Sequence, residues 1–380
     1  MTPADLSPCV VRAVRCAVAD GELAAGAAAP ERVVIERTRP GGVGEYATPV
    51  AFQVAKGAGC PPRAVADVLA RRLGAEPGIE RVEVTGAGFL NFVLSAPSAP
   101  DVVRDALIRD IVIRDVRGGA MFAAPADETA PADGTAPADG TAPADGTAPA
   151  DETAPADGTA PADGTAPADG TARADETAPA DETGLGLRER VVRRAVLRLL
   201  CAQGGTGRDL PESLPVAPLA KRDSDVVARY GAGAAHWRML SVPARETPVF
   251  SELLLLQGEG NEFFRVRYAH ARSRALLRNA EQLGFHPETG EVSDAPALLR
   301  ALADHPLALE AAAHHRAPER LTRDLVELAD ALLDFQYRVL PQGDEKPSAA
   351  HRARLALAEA AGTVLAGGLA LLGIDAPTRL

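Results

Sequence analysis

The chain has 380 residues, 46% of them apolar but only 4% aromatic, and a formal net charge of −12. The length allows two domains, and the shortage of aromatic side chains leaves alanine, valine and leucine to fill the cores, which favours helices. There is no CxxC pair, no basic and apolar leader and no apolar run near eighteen residues, so we expect a cytoplasmic protein without a metal, a signal peptide or a membrane span.

Residues 1–123 predict a small α+β domain with an antiparallel sheet. A strand is expected over 31–39, and helices are expected over 46–56 and 101–115. The segments VEVT (82–85) and FLNFVLS (89–95) are typical of two strands, and the Gly-Ala-Gly between them predicts a hairpin turn.

The second strand of this hairpin carries a candidate nucleic-acid contact. Phe89 and Asn91 lie two residues apart and share one face, whereas Leu90 and Phe92 share the other. An aromatic ring beside an amide can stack an unpaired base and bind its edge. The alternative is that Phe89 belongs to the core and Asn91 caps the turn.

Residues 124–183 predict a disordered low-complexity linker. They repeat a hexapeptide ten times, mostly APADGT or APADET, with a proline in nearly every copy and no side chain large enough to form a core. The linker carries a net charge of −13, so the rest of the chain is close to neutral and its acidity does not argue against RNA binding. A coil of this length spans roughly 40–45 Å, and we expect the two ends to move independently.

Residues 184–224 predict a helix with a connecting segment, and residues 225–380 predict an all-α bundle. In the helix of residues 261–283, Arg265, Tyr268 and Arg272 are spaced to share one stripe. A second, more solvent-facing stripe holds Arg267, Arg274 and Arg278. Interleaved arginine and tyrosine suit a single-stranded RNA loop, because arginine binds phosphate and tyrosine stacks on bases. The alternative is a solvated helix face with local Arg–Glu pairs.

Several motifs resemble those of the arginyl-tRNA synthetase family. GEYATPVAFQVAK (44–56) and GAGFLNF (86–92) resemble the GDYATN…AK and GxGFINF motifs of its N-terminal additional domain, with Glu45 and Pro49 as departures. VRYAHARSRALLRNA (266–280), GAGAAHWRML (231–240) and LALLGIDAPTRL (369–380) are similar to the VQYAHAR, GADAARYALL and LALLGI-x-APERM segments near and within its DALR anticodon-binding domain.

The resemblance implies positions for the RNA contacts. It assigns Phe89 and Asn91 to the D-loop of tRNA, and Tyr268, Arg272 and the terminal Leu380 to the anticodon loop. The arginines at 265, 267, 274 and 278 are expected to support the RNA backbone as auxiliary contacts. Either Gln336 or Tyr337 takes the place of a loop-facing tyrosine of the family.

The catalytic part of such an enzyme is missing from the sequence. The chain has no HxGH element and no KMSK element, and Lys221-Arg222 is a candidate remnant of a KMSKR loop without a catalytic role. We therefore expect a non-catalytic arginyl-tRNA synthetase-like protein that binds arginine tRNA, needs no cofactor, and serves a separate enzyme that uses the tRNA. The alternatives are a protein-interaction adaptor that has lost RNA binding and the tRNA-binding subunit of a split arginine–tRNA ligase.

Overall fold

The computed structural model describes residues 1–118 apart from 31, 39 and 40, and residues 184–380 apart from 221 and 222. The predicted linker, Lys221-Arg222 and part of the strand predicted at 31–39 lie outside the described residues, and the predicted domain boundaries stay predictions. The helices and strands, in chain order, are α1 (Leu6–Ala19), β1 (Glu36–Arg37), β2 (Tyr46–Thr48), α2 (Val50–Ala58), α3 (Pro62–Leu73), β3 (Ile79–Thr85), β4 (Phe89–Leu94), α4 (Ala99–Gly118), α5 (Leu187–Ala202), α6 (Asp223–Tyr230), α7 (Ala232–Leu240), α8 (Glu262–Gln282), α9 (Pro296–His314), α10 (Pro318–Phe335) and α11 (Ala349–Leu371).

The N-terminal part is an α+β domain, as predicted. Its four strands form an antiparallel sheet in the order β1-β2-β4-β3. Helices α1 to α3 share one core with the sheet, and Leu90 and Phe92 of β4 are fully buried in it. The β3–β4 hairpin forms as predicted, with Thr85 opposite Phe89.

The helix predicted over 46–56 begins later than expected. Tyr46–Thr48 forms the short strand β2, and α2 begins only at Val50. The cause is Pro49, because a proline disfavours helical geometry in the residue before it and so keeps Thr48 extended. Tyr46 therefore belongs to the sheet.

The C-terminal part is a helical bundle, as predicted. Its central helix α11 packs against α4, α8 and α10. By length and composition alone α11 could cross a membrane, but 78% of its most apolar window is buried in the protein. Core helices share these properties, and α11 has the surroundings of a core helix.

Helix α4 connects the two parts. The sequence assigned it to the N-terminal domain, but its buried side chains Ala99, Val102, Val103 and Ala106 lie in the core of the bundle. The expectation that the two ends move independently is therefore wrong for the described residues. Apolar burial of this kind contributes roughly 25 cal/mol per Å², which is enough for a few residues to hold a helix in place.

A second contact joins the N-terminal sheet to α9. The 3-10 turn Pro3–Asp5 packs against α9, and Leu307 of α9 is buried in the N-terminal core. Tyr46 donates a hydrogen bond to the carboxylate of Asp304. Arg37 lies 3.3 Å from the other oxygen of the same carboxylate.

Exposed ion pairs surround this contact. Arg32 bonds Glu310 at 2.6 Å, and His315 lies 3.0 Å from Glu36. Exposed pairs of this kind add little stability, so the buried Tyr46–Asp304 bond and the apolar contacts define the interface.

Burial raises the pKa of Asp304 to about 6, against the opposing effects of the Tyr46 hydrogen bond and the Arg37 charge. The nearby carboxylate of Asp324 adds to the increase. Because this pKa lies above the ordinary value of 3.8, protonation of Asp304 favours the folded state. Its stabilisation is complete below about pH 4 and is lost as the pH rises through about 6.

We expect the Asp304→Asn variant to remove this pH dependence. In the natural protein, ionisation of Asp304 should lower the unfolding free energy by about 1 kcal/mol as the pH rises from 5 to 7. The asparagine amide of the variant does not titrate, so this decrease should be absent from it. Urea unfolding of both proteins at the two pH values measures the difference, with Glu327→Gln as control, since Glu327 contacts the same Arg37 from an exposed position. An equal pH dependence in the natural protein and in Asp304→Asn would contradict the assignment.

Candidate nucleic-acid interface

Helix α8 carries most of the predicted RNA contacts, and α11 holds it in a fixed rotation. The Nδ1 of His270 donates to the carbonyl of Gly362 at 3.0 Å, and the Ser273 hydroxyl donates to the carbonyl of Ala358 at 2.8 Å. A Cβ atom at position 362 would lie 2.1 Å from the Ser273 hydroxyl, so this close approach requires glycine. Burial lowers the pKa of His270, so the ring is a neutral structural group.

The start of α8 is fixed by Asn261. This buried side chain accepts the backbone N–H of Phe264 at 3.3 Å as a helix N-cap. Its amide nitrogen donates to the carbonyls of Leu254 at 3.2 Å and Leu256 at 2.8 Å. Both the oxygen and the nitrogen of the Asn261 amide are thus hydrogen-bonded, and these bonds fix the position of the first turns of α8 and of their outward face.

Tyr268 lies on this outward face. It is 40% exposed, and its ring stacks on Phe264, one helical turn earlier, with centroids 5.6 Å apart and planes inclined by 15°. The pair forms a partly exposed aromatic surface, the kind of surface on which an unpaired base stacks.

Arg272 lies one turn further along the same face. Its Nε donates to Oε1 of Gln336 at 2.6 Å, and the amide of Gln336 donates to the carbonyl of Leu333 at 2.8 Å. Gln336 is buried, whereas Tyr337 beside it is 68% exposed. Tyr337 is therefore the side chain available to a ligand at this position, and Gln336 orients the arginine.

The two remaining arginines near the start of α8 have partners within the protein. Arg265 lies 3.3 Å from Asp330 of α10, close enough for an ion pair although its Nε is not aligned for a hydrogen bond. Burial raises the pKa of Asp330, and Asp334 and Glu262 add to the increase. Arg267 lies over the ring of Phe263, 5.2 Å from its centroid. Neither contact is one of the local Arg–Glu pairs of the alternative, and the auxiliary RNA role of Arg265 and Arg267 stays a prediction.

The second stripe of α8 meets the C-terminal tail. Arg278 donates to the carbonyl of Thr378 at 3.4 Å, and Arg274 and Arg379 line the same groove of about 580 Å³. The other polar side chains lining the groove are Glu281, His286, Glu359 and Thr378. Leu380 is more than half exposed at the end of the tail. The tail therefore lies beside Arg274 and Arg278.

Of the N-terminal pair, Phe89 is placed as an RNA contact would be, whereas Asn91 is placed as a structural residue would be. Phe89 is 45% exposed and meets the edge of Phe52, with centroids 5.1 Å apart. Asn91 is only 6% exposed, and its amide donates to the Thr85 hydroxyl at 2.8 Å and the Glu83 carbonyl at 3.3 Å. Phe89 is thus accessible to a base, whereas the amide of Asn91 is bonded within the hairpin.

Two aromatic residues of these surfaces were not predicted from the sequence. Phe52 supports Phe89, and Phe264 supports Tyr268. The spacing of four residues between Phe264 and Tyr268 was a usable signal for that pair. Phe52 could not be paired with Phe89 from the sequence, because the two meet only through the fold.

Two segments of the chain match known protein families. Residues 10–94 match the family described as arginyl tRNA synthetase N terminal domain. Residues 266–380 match the DALR anticodon binding domain. Phe89 and Asn91 fall in the first segment, and Tyr268, Arg272 and the C-terminal tail fall in the second.

Whole proteins of the same kind are similar to the chain. An arginine–tRNA ligase of Frankia alni is 28% identical in an alignment of 555 residues that covers all of both chains. Since the chain has 380 residues, at least 175 of the 555 aligned positions have no counterpart in it. The solved structure of Thermus thermophilus arginyl-tRNA synthetase is 14% identical, with a TM-score of 0.51 and full coverage of both chains, and it shows a shared fold. The chain therefore carries an N-terminal domain of the arginyl-tRNA synthetase type and a DALR anticodon-binding domain, and over its whole length it resembles the arginyl-tRNA synthetases.

Proposed function

We propose that this protein binds arginine tRNA and does not itself join arginine to it. The observation that carries the proposal is the outward face of α8, where Tyr268 stacked on Phe264 and Arg272 held by Gln336 stand side by side in a DALR domain. The exposed ring offers base stacking, and the oriented guanidinium offers a planar donor to phosphate or to a base edge.

The N-terminal domain supports a second contact on the same RNA. Phe89 is exposed on the sheet and braced by Phe52, so it can stack on a base of the D-loop. Asn91 would contribute chiefly by holding the hairpin in shape. Arg274, Arg278 and the exposed Leu380 extend the C-terminal surface along the tail, where two arginines suit the phosphate backbone.

The proposal that the chain is non-catalytic rests on the sequence. Synthetases of this family neutralise the phosphates of ATP with histidine and lysine motifs, and the sequence contains neither HxGH nor KMSK. The relative from Frankia alni aligns over many more positions than this chain possesses. A bound tRNA would then be used by a separate enzyme, and we place the protein in the cytoplasm.

A second candidate function is favoured by one surface. Val249, Leu253, Leu255 and Leu256 are all about half exposed or more, although Arg238 and Asn261 pin the backbone around them. A fixed cluster of exposed aliphatic side chains is typical of a protein contact. This favours a chain that also docks a separate enzyme, as the tRNA-binding subunit of a split arginine–tRNA ligase would.

We expect Tyr268→Ala and Arg272→Ala each to weaken binding of arginine tRNA by about tenfold, the order of one lost stacked base or one oriented charged contact. Phe89→Ala should weaken it by a similar factor. Filter binding to individual purified tRNAs measures this, with Arg208→Ala as the matched control, since it removes the same charge from an exposed 3-10 turn that is not part of either proposed surface. Asn91→Ala belongs in the series with a urea-unfolding check, because its amide is bonded in the hairpin.

Equal affinity for arginine tRNA and other tRNAs, together with unchanged affinity in these variants, would contradict the proposal. The dependence of affinity on salt gives an independent check. Arg278→Ala should lower the slope of log affinity against log salt by about 1 if it contacts phosphate.

We expect the protein alone to show no ATP–pyrophosphate exchange, with or without arginine and tRNA. The reason is the lack of the phosphate-binding motifs in the sequence. A full-length arginine–tRNA ligase assayed in parallel serves as the positive control. Exchange by the purified chain would overturn the non-catalytic assignment, whereas exchange that appears only after addition of a second protein would favour the split-ligase candidate.

A further inference from the structure

Tyr46 stands in one of the two N-terminal motifs, yet it is buried and cannot meet RNA. Its strand β2 is hydrogen-bonded to β4, with Tyr46 opposite Phe92 and Ala47 opposite Asn91. The exposed Phe89 begins the same strand β4. The tyrosine is thus one strand away from the D-loop surface, and its hydroxyl points out of the domain to Asp304.

On the other side, Asp304 is connected to the anticodon surface. Its helix α9 packs along α10, and Arg37 bridges Asp304 and Glu327 of α10. Helix α10 in turn packs against α8 and leads into the turn that holds Gln336, the partner of Arg272. A short series of packed elements therefore joins Phe89 to Arg272 through the Tyr46–Asp304 bond.

The length of the predicted linker does not set the distance between the Phe89 surface and the Tyr268 surface. Helix α4 before it and helix α5 after it both contribute to the core of the bundle. The elements before and after the predicted linker therefore both belong to the bundle. For this reason the separation between the two RNA surfaces does not depend on the linker length.

From this arrangement we infer that Tyr46 and Asp304 are positioning residues, which fix the separation between the Phe89 surface and the Tyr268 surface so that both reach one tRNA. The inference rests on the proposed tRNA binding. Two sites held at a matching distance bind the second half of the ligand at a high effective concentration, and this gain falls when the connection loosens.

The groups around Asp304 suit this role. Tyr46, Arg37, Arg300 and Asp324 all influence its charge, and His305 beside it bonds Asp324 at 2.6 Å within α9 and α10. Loss of the tyrosine hydroxyl leaves a buried carboxylate with only the half-exposed Arg37 as partner, which weakens the contact without removing the apolar packing of Leu307 and α4.

The test compares full-length arginine tRNA with its isolated anticodon stem-loop, both labelled, on the full chain. Tyr46→Phe and Asp304→Ala should weaken binding of the full tRNA by about tenfold and leave stem-loop binding within twofold. Asp304→Asn keeps an acceptor for Tyr46 and should bind both RNAs like the natural protein. Tyr230→Phe is the matched control, because Tyr230 is buried inside the bundle against Phe250, away from the interface.

Unchanged stem-loop binding also shows that the bundle of each variant is folded. Equal loss for both RNAs, or no loss for the full tRNA, would overturn the positioning role. If the natural protein binds the full tRNA no better than the stem-loop, the inference fails while the proposed function stands. If it binds neither RNA, the proposed function itself fails.

Discussion

The carboxylate of Asp304 is buried where the N-terminal sheet meets α9, and this contact sets how the two parts of the chain are placed against each other. A buried carboxylate is costly unless it is hydrogen-bonded or protonated, and Tyr46 and Arg37 supply partners from the opposite domain. The neighbouring Leu307 and the helix α4 each insert into the core of the other part. Two domains that occupy separate ends of the sequence thereby become one body with two outward surfaces.

The chemistry of the outward surfaces follows from how the protein pairs its own charges. Of the arginines on α8, Arg265 is paired with Asp330, whereas Arg267 keeps its charge and packs over the ring of Phe263. Arg272 is held by a neutral amide, which orients the guanidinium without cancelling its charge. The combination of one oriented arginine with a stacked aromatic pair favours a single-stranded loop over a non-specific basic surface.

Local patterns predicted much of this fold. The β3–β4 hairpin, the two faces of β4 and the long helix α8 follow from residue spacing, because each depends on neighbours close in sequence. The site was predicted only in part. Asn91 lies on the predicted face but is enclosed by its own hairpin, and the choice between Gln336 and Tyr337 needed the packing of α8 against the end of α10. The contact between the domains could not be predicted, because Tyr46 and Asp304 are 258 residues apart and no sequence pattern around either residue indicates its partner.

The proposed function and the positioning role of Tyr46 and Asp304 together require that one protein molecule binds one arginine tRNA at two places. Hydroxyl-radical footprinting of arginine tRNA at a protein-to-RNA ratio of one tests this most directly. We expect protection of both the D-loop corner and the anticodon loop, rising together as the protein is titrated in. Protection of a single loop, or protection of the second loop only after a second protein molecule has bound, would contradict it.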